Sequence, residues 1–360
     1  MAVGEPGSRR FGLRPDPAEV LPPEVVAERC VHSLLQQATC RACVDACPRG
    51  AFVLDDERLG IDTARCDACG LCAPACPQGA VLDAFAPVTY RVGGELVAFA
   101  ACERALPLIG EPGIMPCLHA LGLRHLLALR REGVTRLMFS QADCQTCPRG
   151  SATHVDTHLD AARQILEVRG LAPMVTVFLS PEPWLRAQGA AARQPKPGLD
   201  RRAFFRKAIG SAVEQVVRRA AGDTAPGGVP RGTPPGRYFP TTAVGQVVPF
   251  APRIDEDRCT GCDACARLCP HGAIRAEPDA YRLDADACTG CRVCVDVCTQ
   301  RAVTIEALAV PSRTEVCLQR RRCRVCGVSF HTPKPDGAGA SVCPVCTVTS
   351  HHRRLFQVLD

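Results

Sequence analysis

"CTGCDACARLCPHGAIRAEPDAYRLDADACTGCRVCVDVC", residues 259–298, decides how the rest of the chain is read. Cys259, Cys262, Cys265 and Cys269 follow one another with gaps of two, two and three residues, and Pro270 comes next. After 18 intervening residues the same spacing restarts at Cys288, Cys291, Cys294 and Cys298. Cysteines grouped in Cys-x-x-Cys units suit convergence on a metal. Between the runs, "GAIRAEPDAYRLD" reads as a short apolar strand, a polar turn and a second strand, which predicts an antiparallel hairpin.

The chain has 25 cysteines among 360 residues, against 16 aromatic positions. Large aromatic cores are therefore not expected, and bound metal has to supply part of the folding free energy. A disulfide framework is the bland alternative and suits small secreted chains. However, "MAVGEPGSRRFGLRPDPAEVLPPE" has arginines with no apolar run behind them, and no segment reaches the length of a membrane span. The expectation is a cytoplasmic protein whose thiols stay reduced and open to metal. The formal charge of +6 invites nucleic acid, but clustered thiolates around bound metal would add negative charge and offset it.

The run C-x₂-C-x₂-C-x₃-C-P over residues 253–312 resembles the dicluster domain of bacterial ferredoxins. That resemblance implies that Cys259, Cys262 and Cys265 wrap one 4Fe-4S cubane whose fourth ligand is Cys298. Cys288, Cys291, Cys294 and Cys269 hold the other. Thr299 stands where the family has proline and Arg301 where its repeats have glycine, so the turn after Cys298 departs from the pattern.

A second dicluster domain is expected over residues 28–90. Cys66, Cys69, Cys72 and Cys76, with Pro77, form a full run, and 18 residues again separate Cys47 from Cys66. Cys40, Cys43 and Cys47 keep the register, but Gln37 occupies the first cysteine position and the nearest spare thiol is Cys30. Glutamine is a poor cubane ligand. Cys30 either returns to the vacant corner through a lengthened loop, as in a variant of the same family, or stays an inert thiol.

In residues 91–185, "ELVAFAAC", "VTRLMFSQADC" and "MVTVFLS" read as strands alternating with the helical periods of "HALGLRHLLALRREG" and "HVDTHLDAARQILEVRG". That alternation predicts a small α/β domain with a parallel sheet. Cys102 ends the first strand, Cys117 opens the first helix, and Cys144 and Cys147 follow the second strand, which would gather four thiols at the sheet's carboxyl edge. The placement resembles the small iron-sulfur subunit of methyl-viologen-reducing hydrogenase that partners heterodisulfide reductase, and implies a 2Fe-2S cluster. The alternatives are a thioredoxin-type dithiol at Cys144 and Cys147, activated by a following helix N-terminus, and scattered structural thiols.

Residues 186–252 read as a Pro/Gly-rich linker. Phe204, Phe205, Ile209, Val213, Val216 and Val217 predict an amphipathic helix over 199–221, which packs on a neighbouring domain or touches a membrane surface. In residues 313–360, Cys323, Cys326, Cys343 and Cys346 resemble a zinc ribbon, or less closely a rubredoxin that would hold one iron. Arg320, Arg321, Arg322, Arg324, Arg353 and Arg354 flank this site, and Cys317 is left over as a half-buried thiol.

The fold class expected is α+β: two ferredoxin-like domains flanking a small α/β domain, with a 1–27 tail before them and a zinc-ribbon-like module after. No nucleophile-base pair, phosphate loop or dinucleotide fingerprint is present. The expected function is a polyferredoxin-like carrier or electron-transfer subunit that passes single electrons to or from a redox enzyme. A cluster-dependent disulfide reductase and a redox-sensing regulator that touches nucleic acid are the alternatives.

Overall fold

The computed structural model describes residues 22–54, 59–82, 85–150, 154–194, 232–333 and 341–349. The helix expected over 199–221 lies outside them, as do Arg353, Arg354 and residues 1–21 of the expected tail. The described part is mixed α/β, with small sheets and mostly short helices, and all 25 cysteines are free.

In the first cysteine-rich segment the chain runs through β1 (Glu24–Val25), α1 (Val31–Leu34), α2 (Ala42–Asp45), β2 (Phe52–Leu54), β3 (Leu59–Ile61), α3 (Cys72–Ala75) and β4 (Val81–Leu82). β1 pairs with β4 and β2 with β3, all antiparallel. Each element is only a few residues long because the loops that carry cysteine take up the intervening chain. Phe52, Ala80 and Val81 bury inward against Cys43, Cys72 and Cys76, so the thiols belong to the core they line.

The middle sheet has five strands: β5 (Val88–Val92), β6 (Glu95–Cys102), β7 (Ile114–Met115), β8 (Val134–Ser140) and β9 (Val175–Phe178), in the order β5-β6-β8-β9 with β7 also on β6. β7 and β8 run parallel to β6, and β9 runs parallel to β8. The sheet is nevertheless mixed rather than parallel throughout. β5 returns antiparallel to β6 through Gly93 and Gly94, whose φ of 59° and 92° suit the left-handed turn of a two-residue hairpin.

Side chains of β6 alternate between two cores, as a strand buried on both faces requires. Ala98, Ala100 and Cys102 face α4 (Leu123–Arg131) and α5 (Val155–Glu167), while Val97, Phe99 and Ala101 face Trp184 of α6 (Pro181–Ala192). Leu126, Leu127, Leu137, Phe139 and Ile165 are fully buried here, each contributing about 1.5–3 kcal/mol of transfer free energy. α6 runs through the boundary expected at residue 185. Ser180 occupies its N-cap position, Pro181 stands at its first position, and the Trp184 Nε1 donates to the Met138 carbonyl at 2.9 Å.

The second cysteine-rich segment repeats the first on a longer frame. β10 (Val248–Ile254) pairs antiparallel with β13 (Val303–Ala309). β11 (Ile274–Ala276) and β12 (Ala280–Leu283) form the predicted hairpin, to which β14 (Glu315–Cys317) adds a third strand. β10 begins in what read as linker, because its partner β13 extends just as far. Arg169, beyond α5, donates to the carbonyls of Phe239 and Val247 and so ties this segment to the middle sheet. The C-terminal hairpin β15 (Gln319–Arg322) and β16 (Ser329–Thr332) follows directly. Cys317, expected half-buried, is exposed on the edge of β14.

Candidate metal centres

One local geometry recurs after the last cysteine of all four runs. The Ala51, Ala80, Ala273 and Ala302 amides donate to the sulfurs of Cys47, Cys76, Cys269 and Cys298 at 3.4, 3.2, 3.2 and 3.2 Å. Gly50, Gly79 and Gly272 turn left-handed at φ 55°, 61° and 64° to permit it. Arg301 takes φ 52° in the fourth run, so the turn survives the loss of both proline and glycine there.

The loops between cysteines agree in three runs and differ in one. Ala68 and Gly70, Gly261 and Asp263, and Gly290 and Arg292 all have positive φ, which turns successive backbone N–H groups into the loop, as an anionic group requires. The run at Cys40 is the exception: Arg41 has φ −126° and Thr39 is not left-handed. Here the chain departs at Cys30, passes through α1 and returns. The structure places Cys30 beside Cys40, Cys43 and Cys76, whereas Gln37 is exposed.

In both domains the last cysteine of each run sits with the other run's set. Burial pushes the Cys43 thiol up to about 12, with charge on Cys76, Cys40 and Cys30 adding to the effect. Burial likewise raises Cys72, with help from Cys69, Cys43 and Cys47. Cys66 opens the same loop as Cys69. In the second domain burial raises Cys265 to about 12, followed by Cys259, Cys262 and Cys298. Burial also raises Cys294, followed by Cys288, Cys291 and Cys269. Crowded thiols that hold one another protonated gain most when a cationic iron core takes their protons' place. The four sets therefore fit 4Fe-4S clusters.

The structure also gathers the four middle cysteines. Charge on Cys102 and Cys147 bears on Cys117, and the same two bear on Cys144. The Ala142 amide donates to the Cys102 sulfur at 3.4 Å. Cys117 does not open a long helix: it precedes a single 3₁₀ turn, Leu118–Ala120, and α4 starts at Leu123. The thioredoxin-type dithiol needs a helix N-terminus directly behind Cys147. Residues 148–150 form a turn, α5 begins only at Val155, and burial raises the Cys144 thiol rather than lowering it.

Arg149 locks this group to the first domain. Its guanidinium reaches Asp67 at 3.0 Å, Glu103 at 2.5 Å and the Pro116 carbonyl at 2.7 Å. Cys69 and Leu71 pack on Cys117 across the same seam. A cavity of about 500 Å³ opens nearby, lined by Cys76, Arg124, His125, His158, Tyr238 and Thr289 among others. In its wall His125 Nδ1 accepts from the Gly122 amide, and Arg124 donates to the carbonyls of Cys76 and Pro77.

In the tail, the sulfurs of Cys323, Cys326, Cys343 and Cys346 all lie within 4.8 Å of one another. The Cys326 and Cys343 sulfurs are 3.8 Å apart, which is about the edge of a tetrahedron with metal–sulfur bonds of roughly 2.3 Å. Against the burial that raises it, amide donors from Cys326, Cys343 and Val325 bring Cys323 down to about 6. This is the geometry of one ion held by four thiolates, and zinc and iron fit it equally.

The 4Fe-4S dicluster domain family matches residues 252–305, and a second 4Fe-4S dicluster family matches residues 38–80. The chain therefore carries two 4Fe-4S dicluster domains. The first match begins after Cys30, the one cysteine that sits out of register. No curated protein matches the chain. Among the described residues no helix is long and apolar enough to cross a membrane.

Proposed function

We propose that this protein is a polyferredoxin-like electron carrier, or the electron-transfer subunit of a larger redox complex, working in the reducing cytoplasm with a redox enzyme or another carrier. The ligand sets are Cys30, Cys40, Cys43 and Cys76; Cys47, Cys66, Cys69 and Cys72; Cys259, Cys262, Cys265 and Cys298; and Cys269, Cys288, Cys291 and Cys294. A bound 4Fe-4S cluster supplies a reversible one-electron step at a potential within about −700 to +450 mV, set by hydrogen bonds to sulfur, charge and burial. The chain's own part is to place amides on those sulfurs and to exclude water.

The observation that supports this reading is the crowding of Cys76 against Cys43, Cys40 and Cys30 in one domain and of Cys298 against Cys265, Cys259 and Cys262 in the other, as an exchange of the last cysteine between sets requires. Cys102, Cys117, Cys144 and Cys147 form a fifth centre suited to 2Fe-2S. The tail site is structural, with zinc the ion preferred.

The test is metal and sulfide analysis of protein made and purified without oxygen. About sixteen iron atoms with matching sulfide are expected from four cubanes, plus about two at the middle site. A count near eight removes one domain from the reading, and colourless protein free of sulfide overturns it.

A further inference from the structure

The lengthened loop from Cys30 to Cys40 does more than return a ligand. At its end, Thr39 meets the second dicluster domain: its amide donates to Asp296 Oδ2 at 2.8 Å and its hydroxyl to Asp296 Oδ1 at 2.9 Å. In the three regular loops, the residue before the second cysteine is Ala68, Gly261 or Gly290, which has no polar side chain to offer a neighbour. Moving the first ligand back to Cys30 frees residues 31–39 from wrapping the cage.

A second contact lies alongside. Gln78, which follows Cys76-Pro77, meets His271, which follows Cys269-Pro270, with 2.5 Å between Oε1 and Nε2. Corresponding turns of the two domains thus face each other. Cys40 and Cys291 also lie near each other across this junction, although they belong to different domains.

We infer that this loop docks the two dicluster domains so that the Cys30/Cys40/Cys43/Cys76 set and the Cys269/Cys288/Cys291/Cys294 set form the middle of a single electron path. The inference rests on the reading that both domains hold 4Fe-4S clusters. Along the path the middle cysteines stand first, beside Cys69 through Arg149 and Cys117. The Cys47/Cys66/Cys69/Cys72 set, the two docked sets and the Cys259/Cys262/Cys265/Cys298 set follow. At the far end His331 of the tail hairpin reaches Asp263 Oδ1 at 2.7 Å. The middle cysteines, which lie between the domains in the sequence, are at one end in space. Each transfer oxidises one set and reduces the next, with a one-electron donor protein at one end and a one-electron acceptor at the other.

The test compares the fully reduced, anaerobic holoprotein with a full-length variant carrying Thr39→Lys and Asp296→Lys, using low-temperature electron paramagnetic resonance. Glu182→Lys is the control, because Glu182 is exposed on α6, which packs through Trp184 on the middle sheet. Loss of the cross-domain spin–spin broadening in the double variant, with iron content and the control unchanged, is the expected result. Unchanged broadening in the double variant, or equal loss in the control, overturns the inference. Should the double variant lose iron, hydrogen exchange on the unmutated holoprotein decides: the Thr39 amide is expected to be slow, and exchange at the rate of an open loop overturns the docking. A full iron count without cross-domain broadening sinks this inference alone, whereas a low iron count sinks the electron-carrier reading.

Discussion

Arg301 holds in the left-handed region a turn that glycine holds in the other three runs. A side chain there costs about 1–2 kcal/mol, partly offset because glycine loses more freedom on folding. Arg301→Gly is therefore expected to slow cluster loss in guanidinium, corresponding to roughly 0.5–1 kcal/mol of added stability, with the visible spectrum unchanged. Cys30 makes a sharper test. Cys30→Ser is expected to lose about one iron, leaving a 3Fe signal, or about four if the cluster falls apart, while Gln37→Ala keeps the full count. A histidine gives the pH case. Burial, and then His125, hold His158 below its ordinary 6.5, so the folded state binds fewer protons there than the unfolded chain. Its stability is whole above about 6.5 and declines as pH falls through that value toward the folded one. The thermal midpoint of His158→Gln is expected to fall less steeply than that of the unmutated protein between about pH 6.5 and 5. At this scale the four cysteine runs were legible, because spacing marks them, whereas Cys30, out of register, was not fixed by spacing. The amide on each last sulfur was not, since it depends on φ values that no side chain announces.

Among the elements, legibility followed periodicity. β6, β8, β9 and α5 stand where alternation or helical period put them. β5 escaped notice because "VTYRV" is half exposed and acquires its meaning only by pairing with β6. α6 escaped because "PEPWLRAQGAAA" is rich in alanine and carries two prolines, so it shows little apolar stripe, although Trp184 anchors it. The seam at Arg149 joins elements from two domains, and its strength can be measured. Against burial, which acts in the opposite direction, Arg149 holds the Asp67 carboxyl below its ordinary value. Arg149→Ala is expected to cost about 2 kcal/mol, between the value of an exposed and a buried pair. It should release metal from the Cys102/Cys117/Cys144/Cys147 site before the cubanes are touched. Arg149→Lys should recover only part of this, because an ammonium cannot span Asp67, Glu103 and the Pro116 carbonyl together.

Across the whole molecule, two kinds of stability meet. The middle sheet buries apolar side chains on both faces, whereas the dicluster domains line their cores with thiols. Removal of iron by an anaerobic chelator with oxidant is expected to unfold residues 22–82 and 248–309. Circular dichroism should still show the helices of the 88–192 unit, and an unchanged spectrum after full iron loss would contradict this division. The identity of the domains could be read from cysteine spacing. Their arrangement could not, because the contacts that set it join residues far apart in the chain and involve no repeated motif.

The hydrogen bonds from Thr39 to Asp296 close a span of 257 residues. During synthesis, then, the N-terminal half leaves the ribosome long before the surface that will cover it exists. Cofactor delivery has that interval to use. Cys43, Cys288 and Cys294 are buried in the closed structure, so iron and sulfide are expected to enter more readily before the clasp forms than after it.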